Sequence, residues 1–111
     1  MTDPFSDYCL EQLEGLGRVT AKAMFGGHGL YLGPVFFGIV FRGKLYFKTD
    51  EETRAAYVER GMEPFRPSKK QTLRTYYEVP GEVLEKASEA VLWAGRAVAS
   101  RPVRKRRASR L

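Results

Sequence analysis

A chain of 111 residues has the length of one domain, and its 43% hydrophobic and 29% charged residues are the balance of a folded soluble protein, not of a disordered one. Its formal charge of +6 is unevenly placed. Arg101, Arg104, Lys105, Arg106, Arg107 and Arg110 fall in the last stretch, 101–111, with no acid among them, so the remaining 13 cations balance the 13 acids and the body is neutral.

The single Cys9 excludes an internal disulfide and any multi-cysteine metal site. No charged-then-apolar leader opens the chain, and the apolar run from Val35 to Phe41 is far shorter than the roughly 20 residues of a membrane helix. The expectation is a cytoplasmic protein with no membrane contact, organised as one domain over 1–100 and a disordered basic tail over 101–111.

Asp3 can cap a helix whose first position is Pro4, and Phe5, Cys9, Leu13 and Leu16 recur at helical spacing until Gly15 and Gly17 end it. The spacing predicts a helix over 4–15. From Arg18 to Phe25 the period becomes two, with Val19, Ala21 and Ala23 opposed to Thr20, Lys22 and Met24, the pattern of a half-buried strand. A meander comes next, cut by Gly26-Gly27-His28-Gly29, Gly33-Pro34 and Arg42-Gly43, with strands predicted at 29–32, 35–41 and 44–48.

Thr49 or Asp50 can cap a short second helix that Gly61 closes, with Glu51 and Glu52 in its first turn. Pro64 and Pro67 make 62–70 read as a loop, pinned by Phe65. Alternation predicts a fifth strand over 72–79, with Leu73, Thr75, Tyr77 and Val79 opposed to Thr72, Arg74, Tyr76 and Glu78. After Pro80-Gly81 the stripe Leu84, Ala87, Val91, Ala94 and Val98 predicts one helix over 82–99, with Trp93 off its centre.

The expected fold is α+β, a two-layer sandwich in the order α-β-β-β-β-α-β-α around an antiparallel meander. Its third strand is apolar on both sides, Val35, Phe37, Ile39 and Phe41 against Phe36, Gly38 and Val40. Helices cover one face, so the other, expected to hold Phe36, Val40, Tyr46 and Tyr76, needs a protein partner or a second copy of the chain.

The run Met24-Phe25-Gly26-Gly27, then Gly29-Leu30-Tyr31, the strand Phe36 to Phe41, Gly43 to Lys48 leading into Asp50, Glu63-Pro64-Phe65 and Tyr77-Glu78-Val79-Pro80 resemble, in order and spacing, the N-terminal domain of the TfoX/Sxy competence-regulator family. The resemblance spans about residues 5–98. It implies a two-layer α/β domain grouped with secretion-chaperone-like folds and a link to regulation of DNA-uptake genes, and it implies no catalytic residues or cofactor. The chain departs from the full-length regulators in carrying the basic tail where they continue into a C-terminal helical domain.

Six candidate sites compete with plainer roles. The glycine corner is better suited to a hairpin or bulge than to a phosphate, because a strand, not a helix, is expected after it. His28 is the only histidine and has no carboxylates spaced to work with it, Cys9 falls on an apolar stripe, and Glu51, Glu52, Glu59, Glu82, Glu85 and Glu89 fall on helical polar faces. Neither a metal nor a catalytic group is expected. Arg18, Lys22, Lys44, Lys48 and Arg74 would share a face with Phe36, Tyr46 and Tyr76 if alternation holds, which is the composition of a single-stranded nucleic-acid platform. The tail cations suit nonspecific phosphate contact. The favoured reading is a non-enzymatic binding module with a protein partner, the nucleic-acid platform being the alternative and a small-ligand site at the glycine corner the weakest.

Overall fold

A computed structural model of the chain describes residues 4–24 and 26–100. Asp3, Phe25 and the basic segment with Arg101, Arg104, Lys105, Arg106, Arg107 and Arg110 lie outside the described residues. The elements are α1 (Pro4–Gln12), a 3-10 turn (Glu14–Leu16), β1 (Val19–Met24), β2 (Gly27–Leu32), β3 (Val35–Phe41), β4 (Lys44–Lys48), α2 (Glu51–Glu59), β5 (Pro64–Ser68), β6 (Gln71–Glu78), α3 (Gly81–Leu84) and α4 (Ala87–Ala99). The strands form one antiparallel sheet in the order β1-β2-β3-β4-β6-β5, so the fold is α+β as expected.

Local chemistry sets the punctuation. Arg42 and Gly43 both take positive φ, 52° and 78°, which matches a tight hairpin to the right-handed twist of β3 and β4. Asp50 caps α2 by accepting from the Thr53 N–H at 2.9 Å while its own N–H donates to Thr53 Oγ1 at 3.0 Å. Gly61, at φ 74°, ends that helix: its N–H donates to Val58 O and that of Met62 to Tyr57 O, the paired bonds of a Schellman terminus.

All the helices lie on one face. Cys9 and Leu13 of the N-terminal segment, Tyr57, Val83, Leu84, Ala90, Trp93, Ala94 and Ala97 share a core with Leu30, Phe37, Val40, Leu45 and Phe47 of the sheet. Ile39, Phe41, Tyr46 and Phe65 form a second buried cluster on the opposite face, with Phe36, Leu73 and Tyr76 packed against it.

Three expectations are corrected. Residues 64–68 are not loop but the edge strand β5; Pro64 and Pro67 are tolerated because an edge strand has one side whose N–H groups need no partner. The C-terminal helix is two helices, since Lys86 is extended at φ −107°, ψ 109°, and the Gln12 side chain donates to the Leu84 carbonyl that the break leaves free. Its buried line runs through Ala90, Trp93, Ala94 and Ala97, so Trp93 is central and Val91 flanking.

The third correction concerns Val40. The β2–β3 register pairs Leu30 with Gly38 but Tyr31 with Phe36, which leaves Phe37 as an extra, bulged residue. Alternation resets there. Phe37 and Val40 both join the helix-side core, while Phe36, Ile39 and Phe41 face the other way.

Candidate interaction face

The helix-free face is built from rings. Tyr31 on β2 stacks on Phe36 of β3 at 5.1 Å between centroids and 29° between planes, and Phe36 meets Tyr76 of β6 at 5.5 Å. Tyr31, Phe36 and Tyr76 are each half-buried. Beyond them the face closes: Tyr46 and Phe41 contact Phe65 at 4.8 and 5.2 Å, and Phe65 itself is fully buried. The β5–β6 hairpin thus shields part of the surface for which an outside partner was expected.

Glycine makes room for this packing. A Cβ on Gly29 would lie 2.5 Å from Met24 Sδ and 3.0 Å from Phe36 Cε1, so Met24 and Phe36 close over a strand position that has no side chain. Lys22 Nζ stands 5.1 Å from the Tyr31 ring centroid, in range of a cation–π contact. Burial pushes the Tyr76 phenol up to about 12, with Tyr31 adding to the rise. Burial also raises the Tyr46 phenol, assisted by the charges of Glu78 and Glu63.

The structure does not gather the five expected cations onto this face. Lys22 is there, and Lys44 is held by Glu78 at 3.8 Å. Arg18 instead lines a groove against α1 with Asp7, Glu11 and Glu14, and Lys48 lines a cavity between α2 and α4. Arg74 is exposed. Tyr76 does share the face with Leu73, although strict alternation puts them on opposite sides; β6 is irregular where it meets β5, pairing Phe65 with Leu73 but Pro64 with Tyr77.

The other candidates have structural places. Gly26 takes φ 81° and leads straight into strand β2, the hairpin corner that was expected. His28 lies half-buried with Nδ1 3.1 Å from Ser6 Oγ, which ties β2 to α1. Cys9 is fully buried in the helix-side core. Glu51, Glu52, Glu59, Glu82, Glu85 and Glu89 are all exposed. Among the described residues, no group of His, Cys, Asp and Glu is placed to hold a metal, and no helix is long and apolar enough to cross a membrane.

Sequence reasoning misses Ile39, Phe41 and Phe65 as members of this face. The first two are displaced from the expected side by the bulge at Phe37, which leaves no local signature. The third falls in a stretch whose prolines read as loop, although a fully apolar ring between two prolines hints at a buried edge.

Residues 11–100 match the family model described as the TfoX N-terminal domain. A curated relative, the DNA transformation protein TfoX1 of Aliivibrio fischeri, is 38% identical over 79 residues, a stretch that covers 69% of this chain and 37% of the relative. The chain thus spans little more than a third of that relative's length. The matched range carries the segments that tie the sheet together: the Glu78 N–H donates to the Glu63 carbonyl, Pro64 pairs with Tyr77, and the Val79 N–H donates to Leu45 O.

Proposed function

The chain belongs to the TfoX N-terminal domain family, and from that premise we propose that it is a non-enzymatic regulatory module that works by associating with another protein. The observation that carries this reading is the row Tyr31–Phe36–Tyr76. These rings stay half-buried on a face without helices, next to a patch that β5 has already sealed. Aromatic side chains offer large contact area at low entropic cost, which is why they anchor protein interfaces. A nucleic-acid platform has less support, because of the cations expected on the face only Lys22 stands against these rings and Lys44 is neutralised by Glu78.

The basic segment 101–111 adds sequence-independent attraction to nucleic acid, a role separate from the face. Full engagement of its six cations gives a salt slope of about −5 on duplex DNA. The link to DNA transformation belongs to the relative by name; for this chain it extends to a regulatory part in that process.

The test is association of the full chain against Tyr31→Ser combined with Tyr76→Ser. Light scattering over a wide concentration range reads self-association, and affinity capture reads another partner. Either complex should be lost in the double variant while its circular dichroism is retained. A complex that survives both substitutions removes this face from the reading.

A further inference from the structure

On the opposite side of the molecule, α2 and α4 leave between them a cavity of about 210 Å³. Its apolar wall is Tyr57 and Trp93, edge to face at 4.9 Å, with Ala56 and Ala97. Its charged groups come from separate elements: Lys48 from the end of β4, Glu52 from α2 and Arg96 from α4. Lys48 is half-buried, while Glu52 and Arg96 are exposed at the cavity's rim.

Tyr57 is the unusual member. The residue is only 3% exposed, yet its hydroxyl makes no hydrogen bond with any described residue, and its oxygen is not sealed inside the core. A solvent-reached phenol with no protein partner keeps its donor open to water or to a guest. Thr53, the other hydroxyl of the lining, is already engaged with Asp50 in the cap of α2. Burial raises the Tyr57 phenol far above its ordinary range, and the positive charge of Arg96 opposes that rise, so hydroxyl and guanidinium sense each other. The phenol is therefore a proton donor at any physiological pH.

Neither Lys48 nor Arg96 has an ion-pair partner among the described residues, and Arg60 lies 5.1 Å from the Trp93 ring centroid. Glu52 offsets one charge, leaving the lining cationic. Two cations and a hydroxyl carried on three different elements line the cavity, so a guest there can be contacted from more than one side. That suits a tetrahedral anion better than a planar carboxylate, which a single fork-shaped guanidinium satisfies.

We infer that this cavity binds a small phosphate-class oxyanion, with the Tyr57 hydroxyl donating a hydrogen bond and Lys48 and Arg96 supplying the charge. The anion comes either as free phosphate or as the phosphoryl group of a small molecule. Because it bridges β4, α2 and α4, its binding stiffens the helix layer. The site is independent of the aromatic face, so failure of either leaves the other standing.

Trp93 is the only tryptophan of the chain, so its fluorescence reads this cavity directly. The full chain is titrated with sodium phosphate at constant ionic strength kept with chloride. A saturable change in emission is expected, with half-saturation about tenfold higher in Arg96→Gln and in Lys48→Gln, as for loss of a charge-assisted contact. Tyr57→Phe should weaken the response as well, yet in phosphate-free buffer it should melt no lower than the wild type, because it removes a hydroxyl that has no partner in the protein. A non-saturating response, or one with the same midpoint in Arg96→Gln and Tyr57→Phe as in the wild type, overturns the proposal. If Arg96→Gln does not fold, Lys48→Gln at the strand end carries the same test. Glycerol 3-phosphate binding more tightly than phosphate assigns a phosphorylated small molecule, and weaker binding assigns the free ion. An equal response to acetate rejects the phosphate class.

Discussion

Phe41 on β3 and Phe65 on β5 meet edge to face, 5.2 Å between centroids and 80° between planes, although β4 and β6 stand between their strands in the sheet. Contact across two intervening strands requires the sheet to curl, and the curl brings the edge strand over its own helix-free face. A surface that looks unpaired in the sequence is in this way partly buried by the chain itself.

Phe65→Ala should therefore cost about 3–5 kcal/mol, the usual loss for a fully buried aromatic ring, and Phe65→Leu about 1 kcal/mol. Urea unfolding measures both, and dye binding to exposed apolar surface should rise in the alanine variant at low urea. A loss below about 1 kcal/mol for Phe65→Ala would mean that β5 does not seal the face.

The glycine corner contains two different requirements. Gly26 needs positive φ and has open space around it, whereas a Cβ on Gly27 would fall 2.1 Å from the Val40 carbonyl oxygen. Gly26→Ala should cost about 1–2 kcal/mol of backbone strain. Gly27→Ala should cost more, about 3 kcal/mol or above, because the obstacle is backbone and no rotamer change relieves it. Unfolding midpoints of the two variants give the ranking, and equal midpoints would contradict the close approach of β2 to β3.

Tyr76 ionises late. Its phenol is raised from 10.0 to about 12 in the folded state, so the native protein keeps a proton that the unfolded chain releases. This contribution to stability is complete below pH 10 and is lost as pH rises through about 12. Tyr76→Phe should flatten the fall in melting temperature across that window. Ultraviolet absorbance titration of the phenolates should show one ionisation fewer in the alkaline phase. An unchanged alkaline profile would place the Tyr76 hydroxyl in solvent.

Asp50 works in the acid range. The Thr53 N–H is the main cause holding its carboxyl below the ordinary value of 3.8, with its side-chain hydroxyl and Arg54 contributing less. A depressed value means that the stabilisation is present above the ordinary value and lost as pH falls through the depressed one. Asp50→Ala should cost about 1 kcal/mol at neutral pH, and the gap to wild type should narrow as pH falls below 3.8. Denaturation at neutral pH and through the acid range tests this, and a gap independent of pH would assign the loss to something other than the carboxylate.

Local signals of the sequence by themselves determined the elements whose ends are chemical. The bounds of β3 and β4, the Asp50 cap, the Gly61 stop and the family's order of motifs arise from side chains acting on backbone within a few residues. Only the tertiary structure decided the faces. A bulge at Phe37 moves Val40 to the helices and Ile39 and Phe41 to the opposite side, because after an extra residue the side a strand residue faces depends on the register of its neighbour. The same dependence explains β5, which is a strand because β6 is beside it, and the break before α4, whose loose Leu84 carbonyl is met by Gln12 from 72 positions away. The Tyr57 cavity belongs with these. Its Lys48, Tyr57 and Arg96 carry no common motif, and they form one site only because α2 and α4 pack side by side over the end of β4.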